Sequence, residues 1–257
     1  MVEPVFGQLL ALLHALWWPF CRTLAMFSAA PVIGDNMAPV TVRVLLSLAL
    51  AVVMLPVAQP AVHIDPFSLQ GVAATGEQVV VGLVIGLAFH LTMAIVMVLG
   101  YLVSSQMGLA MAVMNDPMNG ASSDVVSSML YILCIIVFFS IDGHIVLVRV
   151  LGESFRAWPV GRGFELLALH KLALNVAWVF SAALLLAIPI VFSTLVVQMG
   201  FGFLNRVAPT LNLFSLGFSL VTVFGLLMLA QIVHTVPAHY IRMTARVLDM
   251  LRRDFGI

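Results

Sequence analysis

Asp142, Gly143 and His144 place a carboxylate and an imidazole two residues apart inside an apolar run, with Arg149 one and a half turns further on. That pairing has the parts of a proton relay, in which an acid and a base hand a proton across a membrane. The same residues also suit a helix break. Gly143 is a natural kink, and the polar side chains can satisfy the freed backbone groups or pair with Arg149. No second intramembrane carboxylate continues a proton wire. His14 and His90 stand alone in apolar stretches and read as hydrogen-bonded packing residues. No Ser/His/Asp arrangement with recognisable local context, no H-E-x-x-H pair and no phosphate-binding glycine loop occurs. The expectation is a non-enzymatic chain without a metal or cofactor.

The elements that position these residues follow from composition. Of 257 residues, 63% are apolar and 9% charged. A soluble domain carries about a quarter charged residues, so there are too few ionic groups here to coat a surface facing water. Eleven basic and eleven acidic residues cancel, and no basic stripe lies outside the C-terminal tail, which argues against nucleic-acid binding. Cys21 and Cys134 sit in apolar runs and read as small buried hydrophobes. No Lys or Arg precedes the first apolar run, so it reads as a retained span rather than a signal peptide.

The predicted fold is an all-α integral membrane protein, a single domain over 1–257 of about six long, kinked helices. The runs are Leu9–Ala30, Val42–Val57, Val79–Val103, Met129–Leu151, Leu172–Val197 and Leu211–Val233. Crossing a bilayer takes about 20 apolar residues as a helix, and these runs lack the alternation of barrel strands. Pro19 and Arg22 interrupt the first and Pro189 the fifth. Eight Lys/Arg residues fall on the N-terminal side and two on the other, which makes the N-terminal side cytoplasmic. In the tail, 238–257, Ile241, Leu248, Leu251 and Phe255 fall on one face opposite arginines. It reads as a separate amphipathic helix, lying at the membrane interface or capping the protein's own helix ends.

The loop 106–123 is the most unusual stretch. Met107, Met111, Met114 and Met118 are spaced 4, 3 and 4, one helical face, before and across a break at Pro117. Methionine is flexible and polarizable and seals against surfaces of changing shape. The stretch fits either a core seam or a compliant plug across a pore. Gly82 and Gly86 allow close helix approach in the third run.

The block Leu204-Asn205-Arg206-Val207-Ala208-Pro209-Thr210-Leu211-Asn212-Leu213-Phe214, with Leu216-Gly217-Phe218 after it, resembles the signature of the FliR family of flagellar export-gate proteins, which has SctT-type relatives in virulence type III secretion. Arg22 with Ala30-Pro31, Gln106-Met107-Gly108, Asp116-Pro117, Asp142-Gly143-His144 and Pro159-Val160-Gly161 follow in the family's order. The resemblance runs from about Phe20 to Pro237. Ser219, Thr210 and Asn115 depart from the residues common in the family.

The resemblance implies one asymmetric member of a helical ring built with FliP and FliQ in the bacterial inner membrane. FlhB wraps that ring, FlhA docks beneath it, and unfolded flagellar polypeptides pass through. It implies that Met107, Gly108, Met111, Met114, Asn115, Asp116, Pro117 and Met118 belong to a pore plug. It implies packing or helix-breaking roles for Arg22, Asp142, Gly143, His144, Asn205, Arg206, Pro209 and Gly217. Such a ring is lifted largely out of the bilayer, so protein rather than lipid surrounds the intramembrane charges. The alternatives are the equivalent virulence-system subunit and a proton-coupled transporter using Asp142 and His144.

Overall fold

A computed structural model describes residues 2–34, 38–58, 64–109, 124–161, 166–207 and 213–256. Their regular elements are all α-helices: α1 Val2–Ala29, α2 Val40–Met54, α3 Leu69–Gln106, α4 Val125–Ser140, α5 Gly143–Ala157, α6 Leu166–Val207 and α7 Leu213–Phe255. Among the described residues, four stretches are long and apolar enough to cross a membrane, within α1, α3, α6 and α7, and a fifth if the bent pair α4–α5 is taken as one span.

The fourth run is two helices, parted at the Asp142-Gly143-His144 stretch that suits a break. Two expectations are corrected. The second run is a helix of 15 residues, too short for a crossing of about 20. The tail is not a separate helix: α7 continues through Pro237 to Phe255. Its buried residues there are Tyr240, Met243, Thr244, Val247 and Leu251, whereas Ile241 is exposed. The buried face is thus turned from the expected one, and it packs on the protein itself.

The helices also overrun their apolar cores. α3 has 38 residues, about 57 Å at 1.5 Å per residue, nearly twice a hydrocarbon core of about 30 Å. Its first turns hold because polar groups find partners within the protein. Ser68 Oγ accepts from Gly71 N at 3.0 Å, a helix cap, and Thr75 Oγ1 accepts from Trp17 Nε1 at 3.0 Å. The prolines do not end their helices. α1 runs through Pro19 and α6 through Pro189. In each, a hydroxyl four residues on bonds back to the proline carbonyl: Thr23 to Pro19 and Ser193 to Pro189, both at 2.6 Å.

The chain divides into two compact units. One comprises Met1–Leu91, Phe139–Asn175 and Thr244–Ile257, the other Thr92–Phe138 and Val176–Met243. In the first unit, Trp18, Ile64, Ala74 and Val160 form a buried cluster. There α3 lies directly against α1 where Gly82 faces the Arg22 carbonyl and Gly86 faces that of Met26. The glycine pair thus acts as its spacing predicts. In the second unit, the apolar faces of α6 and α7 are largely uncovered. Only 28% and 22% of their most apolar windows are buried, against 67% for α3. Phe180, Leu185, Phe192 and Phe203 project outward from α6. Apolar surface on that scale is stable only against lipid or other polypeptide.

Candidate functional site

The site grows from the end of α3 in the second unit. Met107 is fully buried. Its amide bonds to the Val103 carbonyl at 3.1 Å, and its own carbonyl accepts from Thr222 Oγ1 on α7 at 3.0 Å. The methionine side chain lies where a Cβ on Gly225 would be, so α7 makes room for it by having a glycine there. On the α6 side, the Gln106 carbonyl accepts from Gln198 Nε2 at 3.4 Å, and Thr194 Oγ1 lies 3.5 Å from Gln106 Oε1. Gly108 then turns the chain with φ +73°, a conformation that glycine adopts without a Cβ penalty.

Around this root lies a cavity of about 410 Å³. Met107 and Gly108 meet Asn205 of α6 and Gly217 of α7 in its wall, with Gln198 and Phe201 between them. Two sequence blocks about a hundred residues apart therefore line one space. Its polar groups are neutral amides and a hydroxyl, which donate and accept hydrogen bonds but hold no proton to exchange near neutral pH. Asn205 also borders a second cavity of about 460 Å³, with Arg206. Met111, Met114, Asn115, Asp116, Pro117, Met118 and Pro209 lie outside the described residues.

The remaining candidates lie in the first unit. Arg22 is fully buried. It donates from Nε to Gln78 Oε1 at 2.8 Å, from Nη1 to Ser154 Oγ at 3.0 Å and from Nη2 to the Trp158 carbonyl at 2.7 Å. Its guanidinium sits 4.0 Å from the Phe155 ring centroid. Arg22 thus joins α1, α3, α5 and the turn after α5. Asp142 takes the left-handed conformation at φ 54°, ψ 33°, and its carboxylate makes no capping bond. The helix is broken by this residue and not by Gly143, which is helical and buried. The Asp142 carbonyl receives the Ile145 and Val146 amides at 2.9 and 3.1 Å, so the break satisfies its own backbone. Asp142 and His144 are both exposed, and the His144 ring lies against Phe139 with centroids 5.6 Å apart.

Sequence reading missed Thr222 and Gly225, whose roles depend on a residue more than a hundred positions away. It also missed Ser104 and Asp124. Asp124 carried a readable signal, since an Asp directly before an apolar run is a helix start. Its carboxylate accepts from the Ser127 amide at 2.9 Å in the first turn of α4.

Two predictions follow from local geometry. Gly225→Ala drives a methyl into the Met107 Cγ, which is too near the backbone to swing aside. It should cost about 1–3 kcal/mol, as overpacking does. Gly200→Ala meets nothing within 4 Å and should leave the melting temperature in detergent unchanged or slightly raised. At Asp142, Asn enters the left-handed region readily and a β-branched residue does not. Asp142→Asn should therefore melt like the parent, and Asp142→Val should lose about 1–3 kcal/mol.

A family model described as bacterial export proteins, family 1, matches residues 13–247. The chain is 33% identical over 238 residues to the flagellar biosynthetic protein FliR of Pectobacterium carotovorum subsp. carotovorum, covering 91% of this chain and 90% of that protein. It is 27% identical over 253 residues to the protein of the same name from Escherichia coli (strain K12), covering 98% and 96%. It is also 27% identical over 241 residues to the Yop proteins translocation protein T of Yersinia pestis, covering 89% of each.

Proposed function

The chain belongs to family 1 of the bacterial export proteins, and we propose that it is a non-enzymatic pore subunit of the flagellar type III export gate in the inner membrane. In this reading it stands in a ring with FliP and FliQ, contacts FlhB and FlhA, and passes unfolded flagellar polypeptides. The segment 107–123 is the plug that keeps the channel shut until a polypeptide displaces it. Met111, Met114, Asn115, Asp116, Pro117 and Met118 form the plug, with Met107 and Gly108 at its root. Asn205 and Gly217 line the cavity beside that root, and Asn205, Arg206, Pro209 and Gly217 serve in packing against neighbouring subunits.

One observation carries this reading. The start of the methionine segment is anchored between α6 and α7, in the same cavity wall as Asn205 and Gly217. The uncovered apolar faces of α6 and α7 support it as surfaces for neighbouring subunits. So do helices far longer than a bilayer is thick.

Mild-detergent purification of the tagged chain, followed by mass spectrometry, tests the assembly. FliP and FliQ are expected in the same complex, and a chain recovered alone and monodisperse counts against it. The Yersinia relative keeps the virulence-system subunit as the second reading, and the secretion genes next to its own gene separate the two. A proton-coupled transporter requires Asp142→Asn to abolish activity. Asn keeps the left-handed break at this position, so export should survive that substitution.

A further inference from the structure

The first unit carries a face that suits neither water nor lipid. A cavity of about 280 Å³ opens there between α1, α2 and the turn before α3, with Leu13, Trp17, Leu48 and Phe67 in its wall. Among the described lining residues only His14 is ionisable. Large apolar side chains stand open around it: Trp17 is 43% exposed, Leu13 53% and Phe67 87%. Apolar surface gathered in this way marks a contact rather than a face for water.

Lipid is excluded by depth. α3 rises beside α1 in the same direction, since Trp17 bonds to Thr75, Arg22 bonds to Gln78 and Gly86 faces the Met26 carbonyl. The chain must come back between them, and the 15 residues of α2 are too few for the whole return. Part of that return is irregular, because residues 55–58 and 64–68 lie outside any helix. Ile64 clusters with Trp18, and the Phe67 ring centroid is 6.0 Å from that of His14. His14 and Trp18 are well inside the apolar stretch Gly7–Ala29. At this depth Asp65 is exposed, and its Oδ1 accepts from the Phe67 amide at 3.0 Å. Irregular backbone and a carboxylate are tolerated at membrane depth against protein or a water-filled cavity, not against hydrocarbon. The open Leu13, Trp17 and Phe67 rule out the water.

We propose that this face is a subunit contact: the cavity takes apolar side chains of a neighbouring membrane polypeptide, and a Lys or Arg of that neighbour meets Asp65 at the rim. An apolar centre beside a polar edge is the make-up of a protein interface, and the exposed carboxylate sets the charge of its partner. This rests on the multi-subunit reading above. It adds a contact to those of α6 and α7 and uses no part of the segment 107–123.

The test reads Trp17 fluorescence, as the difference between parent and Trp17→Phe, in the complex co-purified with its partner subunits. The complex is reconstituted with lipids brominated on their acyl chains, and separately exposed to aqueous iodide. Bromine quenches an indole that touches lipid, and iodide one that touches water. Trp17 should be shielded from both. Quenching by the brominated lipid overturns the proposal in favour of a lipid chain, and quenching by iodide overturns it in favour of an aqueous cavity. Either leaves the assembly reading standing, whereas a parent chain that forms no complex overturns both. Asp65→Asn removes the charge and keeps an oxygen for the Phe67 amide. It should lower recovery of the partner subunits several-fold with chain levels in the membrane unchanged. Unchanged recovery, or a fall in chain level, overturns the pairing at Asp65.

Discussion

Arg22→Ala is expected to leave little folded chain in the membrane. The guanidinium is fully buried and donates to Gln78, Ser154 and the Trp158 carbonyl. Hydrogen bonds to a charged group contribute about 1.5–3 kcal/mol each, and each acceptor left unsatisfied costs about 1–3 kcal/mol. Removing one partner from a buried charged network typically costs about 3–5 kcal/mol. Total stabilities are only about 5–15 kcal/mol, so this loss removes a large share. The packing over Phe155 at 4.0 Å goes as well. Arg22→Lys should fall between parent and Ala, because a single ammonium cannot span three acceptors held for a planar fork. Melting in detergent, alongside chain levels in membranes, checks this. Equal melting temperatures for parent and Ala would refute the anchoring role.

Gly82→Leu should be comparably damaging by a different route. A Cβ at Gly82 would run into the Arg22 carbonyl, with Ala25 Cβ and the Met26 amide nitrogen each at 2.9 Å. Two of these are backbone atoms, so α1 itself must move. The same geometry recurs one turn on at Gly86, with Ala29 Cβ at 2.8 Å and the Ala30 nitrogen at 2.9 Å. Overpacking by even one methyl costs about 1–3 kcal/mol, and a leucine adds three more carbons against the same wall. Pushing α1 from α3 also stretches the bond from Arg22 to Gln78. The losses should therefore not add: the double variant Gly82→Leu/Arg22→Ala is expected to be only slightly worse than the more damaging single variant. Additive losses would mean that the glycine contact and the arginine network act separately.

The helices were legible because a membrane protein's longest signal is its apolar runs. Their ends were not, because polarity marks where lipid stops and not where a helix does. Gln78 and Thr75 lie before the third run, yet both are helical and bonded to α1. α7 passes from apolar span to charged tail without a break, because Tyr240, Val247 and Leu251 continue to find protein to pack on. The break between α4 and α5 was readable from Asp142-Gly143. The identity of the breaking residue was not, since glycine and aspartate both visit the left-handed region.

At the site, Asn205, Gly217 and Gln106-Met107-Gly108 were legible as separate marks. Their meeting in one wall depends on how α3, α6 and α7 pack, which no local pattern encodes. Arg22 was read from its cost in an apolar helix. Its partners, 56 to 136 positions away, emerge only from the folded unit. Ser154 and Thr222 look like ordinary small polar residues until their partners, the Arg22 guanidinium and the Met107 carbonyl, are seen.

The central claim is that this chain seals a multi-subunit conduit with its methionine segment. The most direct measurement is single-channel conductance of the co-purified complex in planar bilayers, with and without residues 107–123. The intact complex should be closed, and the deletion, assembled to the same stoichiometry, should conduct small ions persistently. An assembled deletion complex that stays as closed as the parent would contradict the account.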